Sequence, residues 1–189
     1  KREQDTWSVV LNDGPSSNGS DLYGLAVTED STRLWLVGAS GAIGEYDVTT
    51  GSLTDRSAPM DVTNNFRDVA VTGPSGSANV YITGASGQVY HSFENGASGT
   101  WNATTPGSGS GLRAVDFHAD RSGRLVDANQ TVFGTTDGST WTDNGISNAD
   151  VSLYGVDSDA SDDVWGAAGS GTIFQWNGSE WTSTVVGEA

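Results

Sequence analysis

LYGLAV (Leu22–Val27), FRDVAV (Phe66–Val71), LRAVDF (Leu112–Phe117) and LYGVDS (Leu153–Ser158) are four versions of one phrase. Each is followed by a second apolar run that ends in small residues: WLVGASGAI (Trp35–Ile43), YITGASGQV (Tyr81–Val89), LVDANQTV (Leu125–Val132) and WGAAGSGTI (Trp165–Ile173). The unit recurs roughly every 40–50 residues and holds several short strands, which is the pattern of a β-propeller. Such a unit cannot bury its own faces. It must stack on its neighbours, which leaves loops and the central channel for function.

The rest of the chain agrees with an all-β reading. No window of a dozen residues carries apolar residues at helical spacing. Leu34, Leu36 and Val37, and then Val80, Tyr81 and Ile82, form short runs of strand-forming residues bounded by Gly, Ser and Asp. Each unit therefore reads as a blade of four antiparallel strands. In the first, these are Leu22–Val27, Arg33–Val37, Ala42–Tyr46 and Leu53–Ser57. The later outer strands start near Trp101, Trp141 and Trp181, whose indoles are placed to cover the apolar edge between blades. The repeats span about 22–58, 66–104, 112–144 and 153–186, within one propeller region over 1–189. Gly38, Gly41, Gly84 and Gly87 mark the hairpins between second and third strands, where positive φ is expected.

Trp7-Ser8-Val9-Val10, within residues 6–11, also looks like an outer strand, which makes five candidates for four blades. Either one end is spare in a closed ring, or the chain is a section of a larger propeller of five to eight blades. The section reading predicts association with further blades or self-association, because two blade faces would otherwise stay uncovered. Lys1 is not an initiator methionine, so a processed product or part of a longer polypeptide is expected.

Twenty-four acids face eight bases, for a net charge of −16, and Lys1 is the single lysine. The acids are spread through turns and strand ends. Concentrated salt explains this best: at about 1 M the Debye length shrinks to about 3 Å and self-repulsion weakens. An acidic face that steers a basic partner is the other reading. Nucleic acid is excluded as a partner, for want of a basic stripe to replace phosphate counterions. No apolar run is long enough to insert in a membrane as a helix. With no cysteine, disulfides and thiolate metal sites are excluded. Asn18, Asn102, Asn129 and Asn177 lie in glycosylation sequons, usable in an exterior setting.

The phrase VDANQTVFGTTDGSTW (Val126–Trp141) resembles the Asp-box-like repeat of neuraminidase-type and photosystem II stability/assembly factor propellers, through Asp137, Gly138, Thr140 and Trp141. Asn129-Gln130 stands in place of the usual turn. With VGASGAIGEYDVTTG (Val37–Gly51), the whole chain is similar to the BNR-like and WD-like repeat propellers of halophilic archaea. The resemblance implies a propeller, frequently exported, and leaves function open. In it Asp137 is a turn-capping residue.

Four residues are the best pointer to a binding site. Tyr23, Arg67, Arg113 and Tyr154 follow the first residue of their opening strands. Equivalent positions lie at one height and radius, so they should form an arc at one mouth of the channel. Arg and Tyr are favoured at interfaces. A carboxylate-bearing partner would suit the arc; pairing of the arginines with Asp68 or Asp116, or packing between blades, is the alternative. Asp157, Asp159 and Asp162 alternate like Ca²⁺ ligands in a loop, although the glycine and closing glutamate of an EF-hand are missing. No other cofactor is indicated. His91 and His118 sit in different units, with no nucleophile motif beside either.

The sequence thus points to a non-catalytic propeller scaffold that binds a protein or glycan, outside the cell, at a cell surface or on a virion; the acidity also fits the cytoplasm of a halophile. The alternative is a glycosidase or lyase that uses clustered acids near the channel.

Overall fold

The computed structural model describes residues 20–56, 62–107, 109–146 and 151–186. They form four antiparallel four-stranded sheets, each laid out in chain order from its first strand to its fourth. The first blade holds β1 (Leu22–Val27), β2 (Arg33–Gly38), β3 (Ile43–Asp47) and β4 (Ser52–Asp55). The second holds β5 (Phe66–Thr72), β6 (Asn79–Gly84), β7 (Val89–Ser92) and β8 (Asn102–Thr104). The third holds β9 (Leu112–Ala119), β10 (Ser122–Asp127), β11 (Val132–Thr135) and β12 (Thr142–Asp143). The fourth holds β13 (Leu153–Ala160), β14 (Asp163–Ala168), β15 (Thr172–Trp176) and β16 (Trp181–Val185). Among the described residues, one 3₁₀ turn at Ala39–Gly41 is the sole helical element.

Inner strand packs on inner strand in succession, β1 on β5, β5 on β9 and β9 on β13. The core accordingly lies between blades as three seams. Trp35, Val37 and Ile43 meet Phe66, Val69, Val80 and Ile82 in the first. Tyr81 and Val89 meet Leu112, Leu125 and Phe133 in the second. Ala114, Val126 and Val132 meet Leu153 and Phe174 in the third. Trp101, Trp141 and Trp181 pack on the first, second and third seam, the role expected of the outer-strand tryptophans.

Aromatic geometry fixes how the blades sit. Trp35 crosses to the second blade and meets Trp101 edge to face at 6.4 Å. Tyr81, its equivalent, stacks on Phe117 of the third blade at 3.7 Å. In the third blade the same position is Arg124, whose guanidinium donates to the Ser161 carbonyl of the fourth. Carboxylates add polar staples across the seams. Asp68 accepts from the Val115 N–H at 3.0 Å, and Asp116 accepts from both the N–H and hydroxyl of Ser158 at 2.7 Å. Burial, with Asp116 nearby as a second cause, raises the pKa of Asp68 despite its hydrogen bonds. At the outer turns of the first seam, Glu29 accepts from Gly73 N–H and Asp30 from Ser75.

The four sequence-derived strands of the first blade agree with the structure to within one or two residues, apart from Ser57, which lies outside the described residues, as do Asn18 and the Trp7–Val10 segment. Two expectations change. Gly41 and Gly87 do have φ of 75°, but Gly38 and Gly84 are extended strand ends. What Gly38 supplies is close approach: a Cβ there would lie 2.0 Å from the Asp21 carbonyl oxygen. The acids at 157–162 do not form a loop, as described below.

Replacing Trp35 with Ala should destabilise the chain by about 3–5 kcal/mol, because the indole is fully buried between two blades. Urea unfolding at fixed salt measures this. A second outcome concerns pH. Burial lowers the pKa of both His91 and His118. The unfolded chain therefore binds more protons as the pH falls through the ordinary histidine value of about 6.5. Their contribution is intact above that value and lost below it, toward the folded-state pKa. The melting temperature should drop between about pH 7 and pH 5, and less in His91→Phe, which keeps the ring contact with Phe93.

Candidate functional site

The second residue of every inner strand is a bulge. Pairing between β1 and β2 steps from Leu22 to Gly24 and skips Tyr23. Arg67 is skipped between Phe66 and Asp68, Arg113 between Leu112 and Ala114, and Tyr154 between Leu153 and Gly155. A bulge inserts one unpaired residue and re-aims its side chain. A main-chain bond repeated in all four blades sets its height. Ala39, Ala85, Ala128 and Gly169 donate N–H to the carbonyls of Asp21, Asn65, Gly111 and Ser152, at 2.8–3.0 Å. Each bond ties the end of a second strand to the residue just before the inner strand.

The four bulged side chains, together with Asn65, Gly111 and Ala128, line one cavity of about 620 Å³. The structure thus brings together all four residues of the sequence-derived arc. Among the described residues no carboxylate lines this cavity, on a chain of net charge −16. Neither arginine pairs with Asp68 or Asp116; those acids are occupied with main-chain N–H groups of the next blade. Arg113 reaches across the third seam instead. Its Nη1 donates to the Leu153 carbonyl at 3.1 Å, and its guanidinium carbon lies 4.5 Å from the centre of the Tyr154 ring. Arg67 is exposed, and among the described residues no hydrogen bond or ion pair engages it. The mouth therefore carries one held and one unpaired guanidinium between two exposed tyrosines. Sequence reasoning missed Asn65, whose Oδ1 accepts from the Ser40 N–H. Its signal was available: it holds the place before the opening strand that Asp21, Gly111 and Ser152 hold in the other blades.

The three acids of the Ca²⁺ reading, Asp157, Asp159 and Asp162, do not share one loop. β13 runs to Ala160 with a register irregularity at Asp159, so Asp157 and Asp159 lie on a strand, and the turn is confined to Ser161 and Asp162. An extended backbone rises about 3.3 Å per residue and cannot wrap an ion. Among the described residues no cluster of three potential ligands gathers anywhere. Asp137 does cap its hairpin turn. It accepts from the Ser139 and Thr140 N–H groups at 2.8 and 2.6 Å, which hold its carboxyl well below the ordinary range. Asn102, Asn129 and Asn177 are exposed on the surface.

A histidine, a serine and an aspartate do meet between the third and fourth blades. Ser158 Oγ donates to Asp116 and lies 3.4 Å from His118 Nδ1, while His118 Nε2 lies 3.1 Å from Ser122 Oγ. The order differs from a nucleophilic triad, in which the acid orients the histidine and the histidine activates the serine. Here the buried serine gives its proton to the acid, and the group works as a seam staple.

No protein-family model matches the chain, and no curated protein matches it. Solved structures do. The chain is similar to YCF48 from Cyanidioschyzon merolae (16% identity, TM-score 0.68), covering 90% of this chain and 58% of that one. It is similar to virginiamycin B lyase from Staphylococcus aureus (14% identity, TM-score 0.74), covering 89% and 57%. It is also similar to the RRP9 WD40 repeats (13% identity, TM-score 0.73), covering 91% and 52%. These likenesses establish the propeller fold. The chain spans little more than half the length of each neighbour. A lyase and WD40 repeats share the architecture, so the fold alone leaves the chemistry open.

The two arginines should respond differently to truncation. Arg113→Ala removes a hydrogen bond and a ring contact across a seam and should cost about 1–2 kcal/mol in denaturant unfolding. Arg67→Ala should leave stability within about 0.5 kcal/mol of wild type.

Proposed function

We propose that the chain is a non-catalytic propeller scaffold whose channel mouth grips a carboxylate-bearing protein or glycan, on a cell or virion surface in a halophilic archaeal setting. One observation carries the reading: four equivalent bulges aim Tyr23, Arg67, Arg113 and Tyr154 into a single cavity that no acid lines among the described residues. A guanidinium offers paired N–H donors that match a carboxylate, and a tyrosine adds a flat apolar face with a polar tip. Arg113 is already oriented by Leu153 and Tyr154, so little freedom is lost when it binds. Arg67 supplies the adaptable second contact.

The surroundings support the setting. A chain of net charge −16 attracts an acidic partner poorly in dilute buffer. At about 1 M salt that repulsion is confined to about 3 Å, and short-range contact decides recognition. Exposed Asn102, Asn129 and Asn177 are free of the seams and would tolerate glycans in an exterior location.

The test is calorimetry in concentrated salt with two probes, an oligoglutamate peptide and an oligogalacturonate, each beside its uncharged amide or neutral-sugar counterpart. At least one acidic probe should bind and its neutral counterpart should not. Arg67→Ala with Arg113→Ala should reduce affinity at least about tenfold, and Arg113→Lys should restore part of it. Unchanged affinity in the double variant, with its circular dichroism intact, would reject the site.

A further inference from the structure

The two ends of the four-blade section present the two halves of one more seam. Each blade has a leading face that enters the next blade. In the first blade Trp35, Val37 and Ile43 make that face, and all three are fully buried against the second blade. Strand register places Trp165, Ala167 and Ile173 at the same positions in the fourth blade. There Trp165 is 40% exposed, and with Ala167 and Ile173 it lines an open recess of about 280 Å³. The trailing face shows the converse. Phe66 and Val69 of the second blade are buried, at 0% and 4%. Their equivalents in the first blade, Leu22 and Leu25, are exposed at 45% and 66%, beside Val27 at 48%.

The polar staple is prepared as well. Asp116, fifth residue of its inner strand, accepts from the N–H of the sixth residue of the next inner strand, Ser158. Asp157 is the fifth residue of β13 and lines the open recess; the sixth residue of β1 is Val27. A tongue, a receiving apolar face and a staple acid thus stand at opposite ends of the same chain.

We propose that a second copy of this chain covers both faces, the fourth blade of each docking on the first blade of the other, to close an eight-bladed ring with twofold symmetry. Two observations and one symmetry rule favour a second copy. The leading and trailing faces are the halves of the seams already formed three times within the chain, so each copy carries what the other lacks. Four blades cover 52–58% of the three neighbours described above, a share that corresponds to rings of about seven or eight such blades, within the known range, and two copies supply eight. Head-to-tail faces that close on themselves give a finite ring and not a filament. Closure would also complete the channel mouth, adding a second Tyr–Arg–Arg–Tyr arc opposite the first. The dimer does not depend on the ligand proposed for that mouth.

Net charge sets the condition. Two chains of −16 repel in dilute buffer, and the apolar faces win once salt screens them. Sedimentation and light scattering of the 189-residue chain test this. Twice the chain mass is expected at about 1 M salt or above, and the chain mass in dilute buffer. Trp165→Asp and Leu25→Asp, both at exposed positions, should each return the high-salt species to the chain mass with the strand signal in circular dichroism unchanged. Three results would each overturn the proposal: chain mass at every salt concentration, a doubled mass that neither variant lowers, or open-ended polymers.

Discussion

One side chain per blade, thrust from the second strand into the neighbouring blade, holds this fold in register. Trp35 and Tyr81 do so with aromatic rings, and Arg124 does so with a guanidinium. A blade of four short strands has too little apolar surface to be stable alone. Its stability lies in the seams, and each seam needs a projecting group on one side and a cleft on the other. Gly96 and Gly138 show how closely the clefts fit: a Cβ on Gly96 would come 2.4 Å from the Trp35 ring, and one on Gly138 would come 2.7 Å from the Tyr81 hydroxyl. The third seam is the odd one. There a cation replaces the ring, burial lowers the pKa of Arg124, and the Asp116–Ser158 staple carries more of the polar contact.

The same stacking builds the candidate site. Once seams fix the radial order of the blades, any feature repeated at one position of the inner strand appears as an arc. The bulge after the first residue is such a feature, and the repeated main-chain bond at its base keeps all four bulges level. Evolution of a binding surface on this scaffold then needs no change of backbone. Residue choice at four bulges and at their flanks, Asn65 among them, writes the chemistry of the mouth.

How far the sequence could be read follows from which features are local. The blade period, the strands and the Asp137 turn depend on neighbours in sequence, and they were legible. The arc was legible too, because equivalence between repeats carries position without coordinates. The bulges were not, since a bulge exists only relative to the strand beside it. The placement of Asp157 and Asp159 on a strand is instructive. Alternate acids look like alternate ligands in a loop, but alternation is also the period of a strand, and Ser158 between them is buried as a strand residue should be. Gly38 and Gly84 failed for a related reason: a glycine can serve a positive φ or a close contact, and sequence does not tell the two apart.

The distribution of the few cations sharpens the reading of the mouth. Arg33 pairs with Asp47 and Glu45, and Arg56 with the same buried Glu45. Arg121 lies 4.0 Å over the Phe93 ring, and Arg124 is committed to the third seam. Each of these positive charges is spent inside the fold. In a chain so short of bases, an exposed arginine with no partner in the described fold, Arg67, beside a second that is held in place, is a departure from the pattern. Concentrated salt would strip such a pair of long-range pull, because attraction fades within a few ångströms. What survives screening is contact: paired N–H donors, ring faces and a cavity that no acid lines among the described residues. The mouth offers that set, so under the proposed reading selectivity in concentrated salt would rest on fit at van der Waals range and not on steering.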